Sequence, residues 1–490
     1  MKIKYILSAI AIVAISKSSF AQYAQDAVRF STFQTGSSAR IKALGNANVA
    51  VGGDITSVGG NPAGLGFFTR TEYSFTPEFN NSKGSSTYLG QASTAANKNT
   101  FNLNNASVVF YNRINSPRGV DKTKGWLSLN FGLGYARTNN FNENISYAGK
   151  NNDNSINDYY ASLANSSGVN EGTLPGYAYN QNLIDLYGAV NPTYQSNAYP
   201  GVNQSNSFNR TGGQSEFNFA LGANYSNKLY LGFGVALTDL NYSSINTFNE
   251  TGTASVLNGA TAVDRNYNST YIQDQFTSGS GVNAKLGLMY KFVESVRFGA
   301  LFTSPTFLSI QDSYTEGLST TLTGTTNGTD DPQTYGLNYT MRTPFKVAGG
   351  LSVFLKQFGF ITGDVEYVDY SSTRINSNSD YTNTFDNNII KSTYRGAINA
   401  RVGAEARITP SFLLRAGYGM MGSPLKQNGT STNTVSGGLG YRFSNFYVDA
   451  TYTRVDGKQT LTPYTLTGVS PSANLNRTVD NIFLTVGFRY

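Results

Sequence analysis

The 490-residue sequence contains no cysteine and no histidine. Without cysteine, the chain cannot form a disulfide framework, a thiolate nucleophile or a cysteine-based metal site. Without histidine, it lacks the commonest metal ligand, the usual general base and any Ser-His-Asp triad. Charge is also scarce, because charged residues make up 13% of the chain and the formal net charge is only +7. This bias is too weak and too dispersed to indicate nucleic-acid binding.

Enzyme motifs are absent as well. The sequence has neither G-x-S-x-G nor G-x-x-x-x-G-K-[ST], the nucleophile-elbow and phosphate-loop patterns. Asp330 and Asp331 are adjacent, and we interpret them as solvated turn residues or, alternatively, as a weak calcium site. We therefore predict a protein that is not an enzyme and that holds no cofactor and no structural metal.

Long apolar runs are confined to the start of the chain. Lys2 and Lys4 precede the apolar run Tyr5–Ile15, and Ser19–Ala21 supplies small residues for cleavage. This pattern predicts a secretory signal peptide over residues 1–21, cleaved after Ala21. The run is too short for a transmembrane helix, and no later run reaches the ~18–20 apolar residues that such a helix needs.

What the sequence has in abundance is glycine, tyrosine and phenylalanine, arranged with a period of two. In EFNFALGANY, Phe217, Phe219 and Leu221 alternate with polar or small residues such as Glu216 and Asn218. Alternation of this kind predicts half-buried β-strands, either of a soluble sandwich or of a membrane barrel.

Tight turns at one end of the strands and long polar loops at the other, residues 140–214 above all, favour the barrel. A closed barrel also satisfies every backbone group, as lipid requires. We predict an all-β fold, an antiparallel transmembrane barrel of about fourteen strands with its apolar face outward. The predicted strands are 69–79, 105–113, 126–138, 215–225, 228–243, 279–293, 295–305, 337–355, 358–371, 395–408, 411–421, 434–443, 446–455 and 479–490.

The segment DITSVGGNPAGLGFF, residues 54–68, has too much glycine and proline for a helix interior or a regular strand. Irregular backbone is permitted inside a lumen, where it is sheltered from lipid. Glycines within the strands have two interpretations. They make room for lumenal contents and for curvature, or one of them marks a functional kink that opens the wall.

Six segments together resemble the FadL family of outer-membrane transporters for long-chain fatty acids and aromatic hydrocarbons. They are SARIKALGNANVAVGGDITSVGGNPAGLGFF (38–68), FGALFTSPTF (298–307), DVEYVDYSS (364–372), RAGYGMMGSPL (415–425), GGLGYRFSNFYVDATYT (437–453) and NIFLTVGFRY (481–490). The resemblance implies a fourteen-stranded barrel, residues 69–490, plugged by an N-terminal hatch, residues 22–68. It also implies passive, gradient-driven uptake of small hydrophobic molecules through the outer membrane.

Two sets of residues are candidates for this function. We expect the hatch residues Gly59, Gly60, Asn61, Pro62, Ala63 and Gly64 to act in gating. Arg401, Arg415 and Arg442 are predicted on the lumenal face, where they either contact an anion or belong to a paired polar lining.

The expected partners follow from the same resemblance. They are outer-membrane lipid and lipopolysaccharide, a small hydrophobic ligand, and the barrel-assembly machinery through the C-terminal strand ending in Tyr490. We expect a monomer that binds no nucleic acid. The alternative function is that of a barrel without transport activity, acting as an anchor or shuttle in a secretion or surface-assembly complex.

Overall fold

The computed structural model describes residues 20–32, 34–93, 95–115, 121–258, 261–324, 328–378 and 380–490. The predicted signal peptide, residues 1–21, lies outside the described residues except for Phe20 and Ala21, which begin the first helix. Within the described ranges, no helix is long and apolar enough to cross a membrane.

The helices are short and the strands dominate. The α-helices are α1 (Phe20–Ser31), α2 (Ala39–Ala43), α3 (Ile156–Ser167), α4 (Leu174–Asn180) and α5 (Asp380–Thr393). The strands are β1 (Glu72–Tyr88), β2 (Gln91–Ala92), β3 (Ala96–Phe110), β4 (Trp126–Asn140), β5 (Glu143–Asn151), β6 (Ile184–Tyr187), β7 (Thr193–Ser196), β8 (Val202–Tyr225), β9 (Leu229–Asn258), β10 (Thr261–Val293), β11 (Val296–Thr303), β12 (Phe307–Leu322), β13 (Gly328–Thr329), β14 (Gln333–Arg342), β15 (Lys346–Phe354), β16 (Gly359–Asp369), β17 (Arg374–Ser377), β18 (Gly396–Arg407), β19 (Phe412–Met421), β20 (Thr432–Arg442), β21 (Phe446–Leu461) and β22 (Ala473–Arg489).

Fourteen of these strands close into an antiparallel barrel, which confirms the predicted fold class. The ring runs β1, β3, β4, β8, β9, β10, β11, β15, β16, β18, β19, β20, β21 and β22. Pairing of β22 with β1, from Glu72↔Arg489 to Tyr88↔Ala473, completes it. Closure leaves no free sheet edge in the ring, which is the condition for a strand protein in lipid.

The alternating residues face as predicted. Phe217 and Phe219 are 56% and 51% exposed on the outside of the barrel, whereas Glu216 and Asn218 are 1% and 3% exposed and face the lumen. Aromatic pairs flank the outward apolar band, with Trp126 against Tyr225 at a ring-centroid distance of 5.2 Å. This is the outer surface of a barrel that meets lipid.

The wall is much taller on one side. β9 and β10 are 30 and 33 residues long, whereas β18, β19 and β20 have 12, 10 and 11 residues. The predicted strands 228–243 and 279–293 were therefore too short. Above the apolar band the outward face becomes mostly polar, as at the paired Asn249 and Thr270, so the outward apolar pattern ends while the ladder continues.

The predicted loop 140–214 is also largely structured. It contains β5 and the first half of β8, which pair in register, and between them α3, α4 and the β6–β7 hairpin. We call residues 152–201 the outer cap. It packs against the lumenal faces of β9, β10 and β12 through residues such as Tyr160, Tyr271 and Leu318. Its Asn/Tyr-rich composition masked this apolar core.

Three neighbouring strands are interrupted at one level of the tall wall. Residues 304–306 separate β11 from β12, residues 343–345 separate β14 from β15, and a 3₁₀ turn at Tyr370–Ser372 separates β16 from β17. The predicted strand 337–355 is thus two strands, because Pro344 cannot donate to the ladder. A hydrogen bond connects the segments at the first two breaks, because Thr343 N–H donates to Thr306 O at 3.0 Å.

Candidate functional site

The segment that follows α1, residues 34–68, is a compact non-β unit inside the barrel, which we call the hatch core. Polar side chains cap the starts of its short helices. Ser38 caps α2, Asp54 caps the 3₁₀ helix Ile55–Val58, and Asn61 caps the 3₁₀ helix Pro62–Phe67. Caps of this kind satisfy the free N–H groups at helix starts, so a glycine-rich chain keeps a single conformation.

The predicted gating residues lie where the hatch core touches β10 and β11. The Asn61 amide donates to Val49 O at 2.7 Å and to Ala300 O of the wall at 3.2 Å, while its oxygen accepts from Ala63 N–H at 3.1 Å. Gly59 O accepts a hydrogen bond from the Lys285 ammonium at 2.7 Å. These contacts hold the segment against the wall.

The remaining three of the six predicted gating residues lie in the same segment. Pro62 is the first residue of its 3₁₀ helix, Gly60 N–H donates to Thr56 O at 2.7 Å, and Gly64 O accepts from Gly53 N–H at 3.1 Å. All six are buried. Their role in gating stays a prediction.

A belt of lumenal glycines lets the hatch core approach the wall backbone. A Cβ at Gly287 would collide with the Asn61 side chain, and one at Gly299 with the carbonyl of Val49. The belt also includes Gly132, Gly222, Gly232, Gly403, Gly417 and Gly438, where a Cβ would likewise lie closer than 3.0 Å to a hatch-core atom. These glycines make room for lumenal contents, the first of the two interpretations given above.

A buried ion network fastens the opposite side of the hatch core. Arg40 of α2 pairs with Glu405 at 2.8 Å, and Glu405 also binds Arg415 at 2.7 Å. Arg415 then reaches Asp449 at 2.7 Å, and Asp449 binds Arg442 at 2.9 Å. Arg415 and Arg442 therefore have carboxylate partners, as expected of a paired lumenal lining.

Arg401 lies beside a small cavity. It pairs with Glu366 at 3.0 Å and lines a void of about 100 Å³ together with Lys42, Glu78 and Phe483. The Lys42 ammonium lies 5.2 Å from the Phe483 ring centroid. The void has room for several water molecules. An anion bound by any of the three arginines would have to compete with a carboxylate that is already in place.

Beyond the hatch core the lumen is apolar. We call its lining the α1 cage, because it encloses Tyr23, Ala24, Ala27, Val28 and Phe30 of α1. Phe30 makes edge-to-face contacts with Phe141 and Tyr242 at 5.8 and 5.7 Å. The cage consists of Phe141, Leu240, Tyr242, Leu308, Ile310, Tyr339, Met341, Val368, Tyr370, Ile375, Ile390, Tyr394 and Ala397.

Part of the cage wall is a helix rather than a strand. α5 carries Ile390 into the cage, and Asn387 of α5 pairs with the backbone of Ile375 in β17. Its amide donates to Ile375 O at 2.8 Å and its oxygen accepts from Ile375 N–H at 2.9 Å. Asn387 thus replaces a neighbouring strand where β17 lacks one on that side.

Comparison with solved structures shows which known fold this arrangement resembles. The chain aligns with a Pseudomonas aeruginosa FadL homologue over 93% of its length and 98% of that chain, at a TM-score of 0.53 and 12% identity. A deltaS2 mutant of the TodX monoaromatic hydrocarbon channel aligns over 93% of this chain and 99% of that one, at a TM-score of 0.54 and 11% identity. The chain has the FadL-type fold. No family model and no curated protein matches the sequence.

Within the FadL-type barrel, three buried carboxylates were not predicted as site residues. Asp26 lies on α1, Asp312 on β12 and Asp386 on α5, and their exposed fractions are 0%, 5% and 0%. Sequence reasoning missed them because Asp26 lies in the predicted hatch outside its Gly/Asn-Pro segment, while Asp312 and Asp386 lie between predicted strands. One signal was available. Tyr23, Ala27 and Phe30 follow helical spacing, which predicts an amphipathic helix.

The FadL-type arrangement therefore has two layers in the lumen. The hatch core binds the wall at one end through directional polar contacts, and the α1 cage is an aromatic and aliphatic enclosure toward the outer cap, filled by α1. Such an enclosure favours a solute with an apolar body, because the contact removes apolar surface from water.

Proposed function

We propose that this protein is an outer-membrane channel for the passive, gradient-driven uptake of small hydrophobic molecules, gated by the N-terminal hatch, residues 22–68. The α1 cage carries the proposal. A water-filled porin has a polar lumen, whereas this lumen encloses an aromatic and aliphatic surface against which a solute with an apolar body would pack favourably. Fatty acids and aromatic hydrocarbons are the expected substrate classes.

Both ends of the path are closed in this conformation. The outer cap covers one end and reaches Tyr464 in the loop between β21 and β22, where the Tyr464 hydroxyl donates to Asn154 Oδ1 at 2.8 Å. The hatch core fills the other end. Transport therefore requires part of the lumenal contents to move, and α1 is the part held mainly by apolar packing.

The structural neighbours support the same substrate class. One is a FadL homologue and the other a monoaromatic hydrocarbon channel. At 11–12% identity they share only the fold with this chain, so the α1 cage supplies the independent argument.

Uptake of radiolabelled toluene and oleate by cells with and without this protein tests the proposal. We expect faster uptake of at least one of them in the expressing cells. Ile310→Asn places an amide in the cage and should slow uptake about tenfold, because an apolar solute would then desolvate a polar group. Gln311→Asn, on the outward face of the same strand, is the matched control and should transport normally.

Heat-modifiable migration of both variants on a gel establishes that the barrels assemble. Equal uptake with and without the protein, in cells with assembled barrels, would overturn the transport function. Stable co-purification of a secretion or surface-assembly complex in the same cells would then favour the anchor or shuttle function.

A further inference from the structure

The α1 cage carries an unbalanced charge. Of its three carboxylates, only Asp26 has an ion-pair partner among the described residues, and that partner is Arg29 on the same helix. If α1 leaves the cage, both members of this pair leave together. The cage would then keep Asp312 and Asp386, for which the described residues supply no ion-pair partner.

Asp386 is the more informative of the two. It lies one helical turn before Ile390, on the face of α5 that packs toward α1, and both are fully buried. Within the described part of the chain, neither of its carboxylate oxygens has a hydrogen-bond partner. Burial raises the pKa of Asp386 to about 7. A buried carboxylate left without any partner is costly, so its presence needs an explanation.

Asp312 faces the same space from the opposite wall. Gln275 bridges it to α1, donating to Asp312 at 3.0 Å and to Asp26 at 2.8 Å. Burial, and then the carboxylates of Asp312, Asp26 and Asp386, raise the pKa of the Tyr23 phenol. Asp312 on β12 and Asp386 on α5 therefore both influence Tyr23 of α1, the helix that occupies the cage.

The occupant itself shows which chemistry fits. Arg29 of α1 stacks its guanidinium over the Tyr242 ring at 4.8 Å from the centroid, and the adjacent Phe30 fills the space between Tyr242 and Phe141. A cation over an aromatic face is favourable, and more so where water is excluded. The chain thus fills its own cage with an aromatic body next to a positive charge.

We infer that the α1 cage is a binding site for hydrophobic cations, meaning an aromatic or alkyl body bearing an ammonium or guanidinium group, and that α1 occupies it in the ligand-free protein. The cation would lie against Tyr242, in the place of the Arg29 guanidinium, in the enclosure that also holds Asp312 and Asp386. A carboxylate ligand would instead meet two acidic groups. The inference rests on the proposed uptake function, to whose substrate classes it adds hydrophobic cations.

Three probes with the same ring test this preference: 2-phenylethylammonium, 2-phenylethanol and 3-phenylpropanoate. Their binding to the purified full chain in detergent is measured at pH 8, where the carboxylates are ionised. We expect the ammonium to bind about tenfold more tightly than the alcohol, and the carboxylate to bind about tenfold more weakly. Removal of residues 22–32 should tighten binding of the ammonium at least tenfold, because α1 no longer competes.

Charge variants locate the site. Asp312→Asn with Asp386→Asn should bring the affinities for ammonium and alcohol within about twofold of each other. Asp274→Asn is the matched control, since Asp274 lies exposed on the outward side of β10, next to Gln275. It should keep the full preference for the cation.

Equal binding of ammonium and alcohol by the full chain and by the shortened chain would overturn the inference. Tighter binding of the carboxylate, or an undiminished preference in the double variant, would do so as well. These failures are separable from failure of the proposed function. Uptake of neutral toluene without cation preference retains the channel and removes this site, whereas cation binding without any uptake does the reverse.

Discussion

The hatch core and α1 fill the same lumen but are held in different ways. The hatch core contacts the wall through backbone hydrogen bonds, a glycine belt and a five-residue ion network that includes Arg40 and Glu405. α1 is held chiefly by apolar side chains, with polar contacts from Asn139 and Gln275. Directional contacts fix one position, whereas apolar packing is non-directional and tolerates displacement.

This difference assigns different tasks to the two halves of the predicted hatch. The hatch core, which contains Asn61–Ala63, should act as a seal, and α1 should act as the part that moves. The predictions below test that division, beginning with the change of largest expected effect.

Deleting residues 22–66, which removes both parts, should leave an assembled barrel that leaks small sugars. Deleting only residues 22–32, which removes α1, should leave a barrel that stays closed to sugars, because the hatch core remains anchored. Swelling of proteoliposomes in sugar solutions measures both. Equal leakage from the two deletions would show that α1 is the seal, and failure of the longer deletion to assemble would make the hatch core a folding element.

Arg415→Ala should destabilise the barrel by about 3–5 kcal/mol, because it leaves two buried carboxylates without their shared partner. The Arg415 side chain is 0% exposed and binds both Glu405 and Asp449. Arg454→Ala is the control, since it removes an exposed pair with Asp456 on the neighbouring β21 and should leave stability unchanged. Urea unfolding in lipid vesicles gives both values, and equal losses would contradict the assignment.

Gly287→Val should cost about 1–3 kcal/mol and should raise sugar leakage, because the new side chain would displace Asn61 from the wall. Gly349→Val is the matched control, since a Cβ at Gly349 would meet no atom within 4 Å. The same unfolding and swelling assays apply. A tight barrel carrying Gly287→Val would mean that the hatch core adjusts more readily than its contacts imply.

The smallest effect concerns pH. The pKa of Asp386 rises from 3.8 to about 7 on burial, so the folded chain binds this proton more tightly than the unfolded chain. Packing of α5 against α1 should therefore weaken by about 1–2 kcal/mol as pH rises from about 4 to above 7. Hydrogen exchange in residues 383–393, corrected for intrinsic rates, measures this change. Asp386→Asn should abolish it, and a pH-independent wild type would contradict it.

The sequence predicted the barrel because its outward residues alternate wherever they meet lipid. Phe217 and Phe219 could be assigned without coordinates, and so could the strand number. Prediction failed where the outward face of a strand is mostly polar, as in residues 244–258 of β9, whose buried apolar residues such as Phe248 and Val256 face inward. There, the interstrand ladder rather than the side-chain pattern determines the structure.

The lumenal site was only partly predictable for a related reason. Asn61 and Pro62 could be selected from the sequence because their segment is rich in glycine and resembles the FadL family. The paired arginines could be selected because charge is rare in this chain. The α1 cage joins Phe30 to Tyr242, Tyr339 and Ile390, residues from four separate elements. No spacing in one sequence brings such residues together, since the closure of the barrel does so.

The contacts that Ala39 makes with the last two strands bear on the assembly of the barrel. Its N–H donates to the Thr485 hydroxyl at 2.7 Å and its carbonyl accepts from the Thr451 hydroxyl at 2.6 Å, so β21 and β22 bind the chain's beginning directly. The β9–β10 hairpin pairs residues close in sequence and can form early, whereas β22 meets β1 across almost the whole chain. We therefore expect the hatch core to lie in the open curve of the sheet before this last seam forms. We expect the order of these events to determine whether a newly made barrel closes around its contents or closes empty.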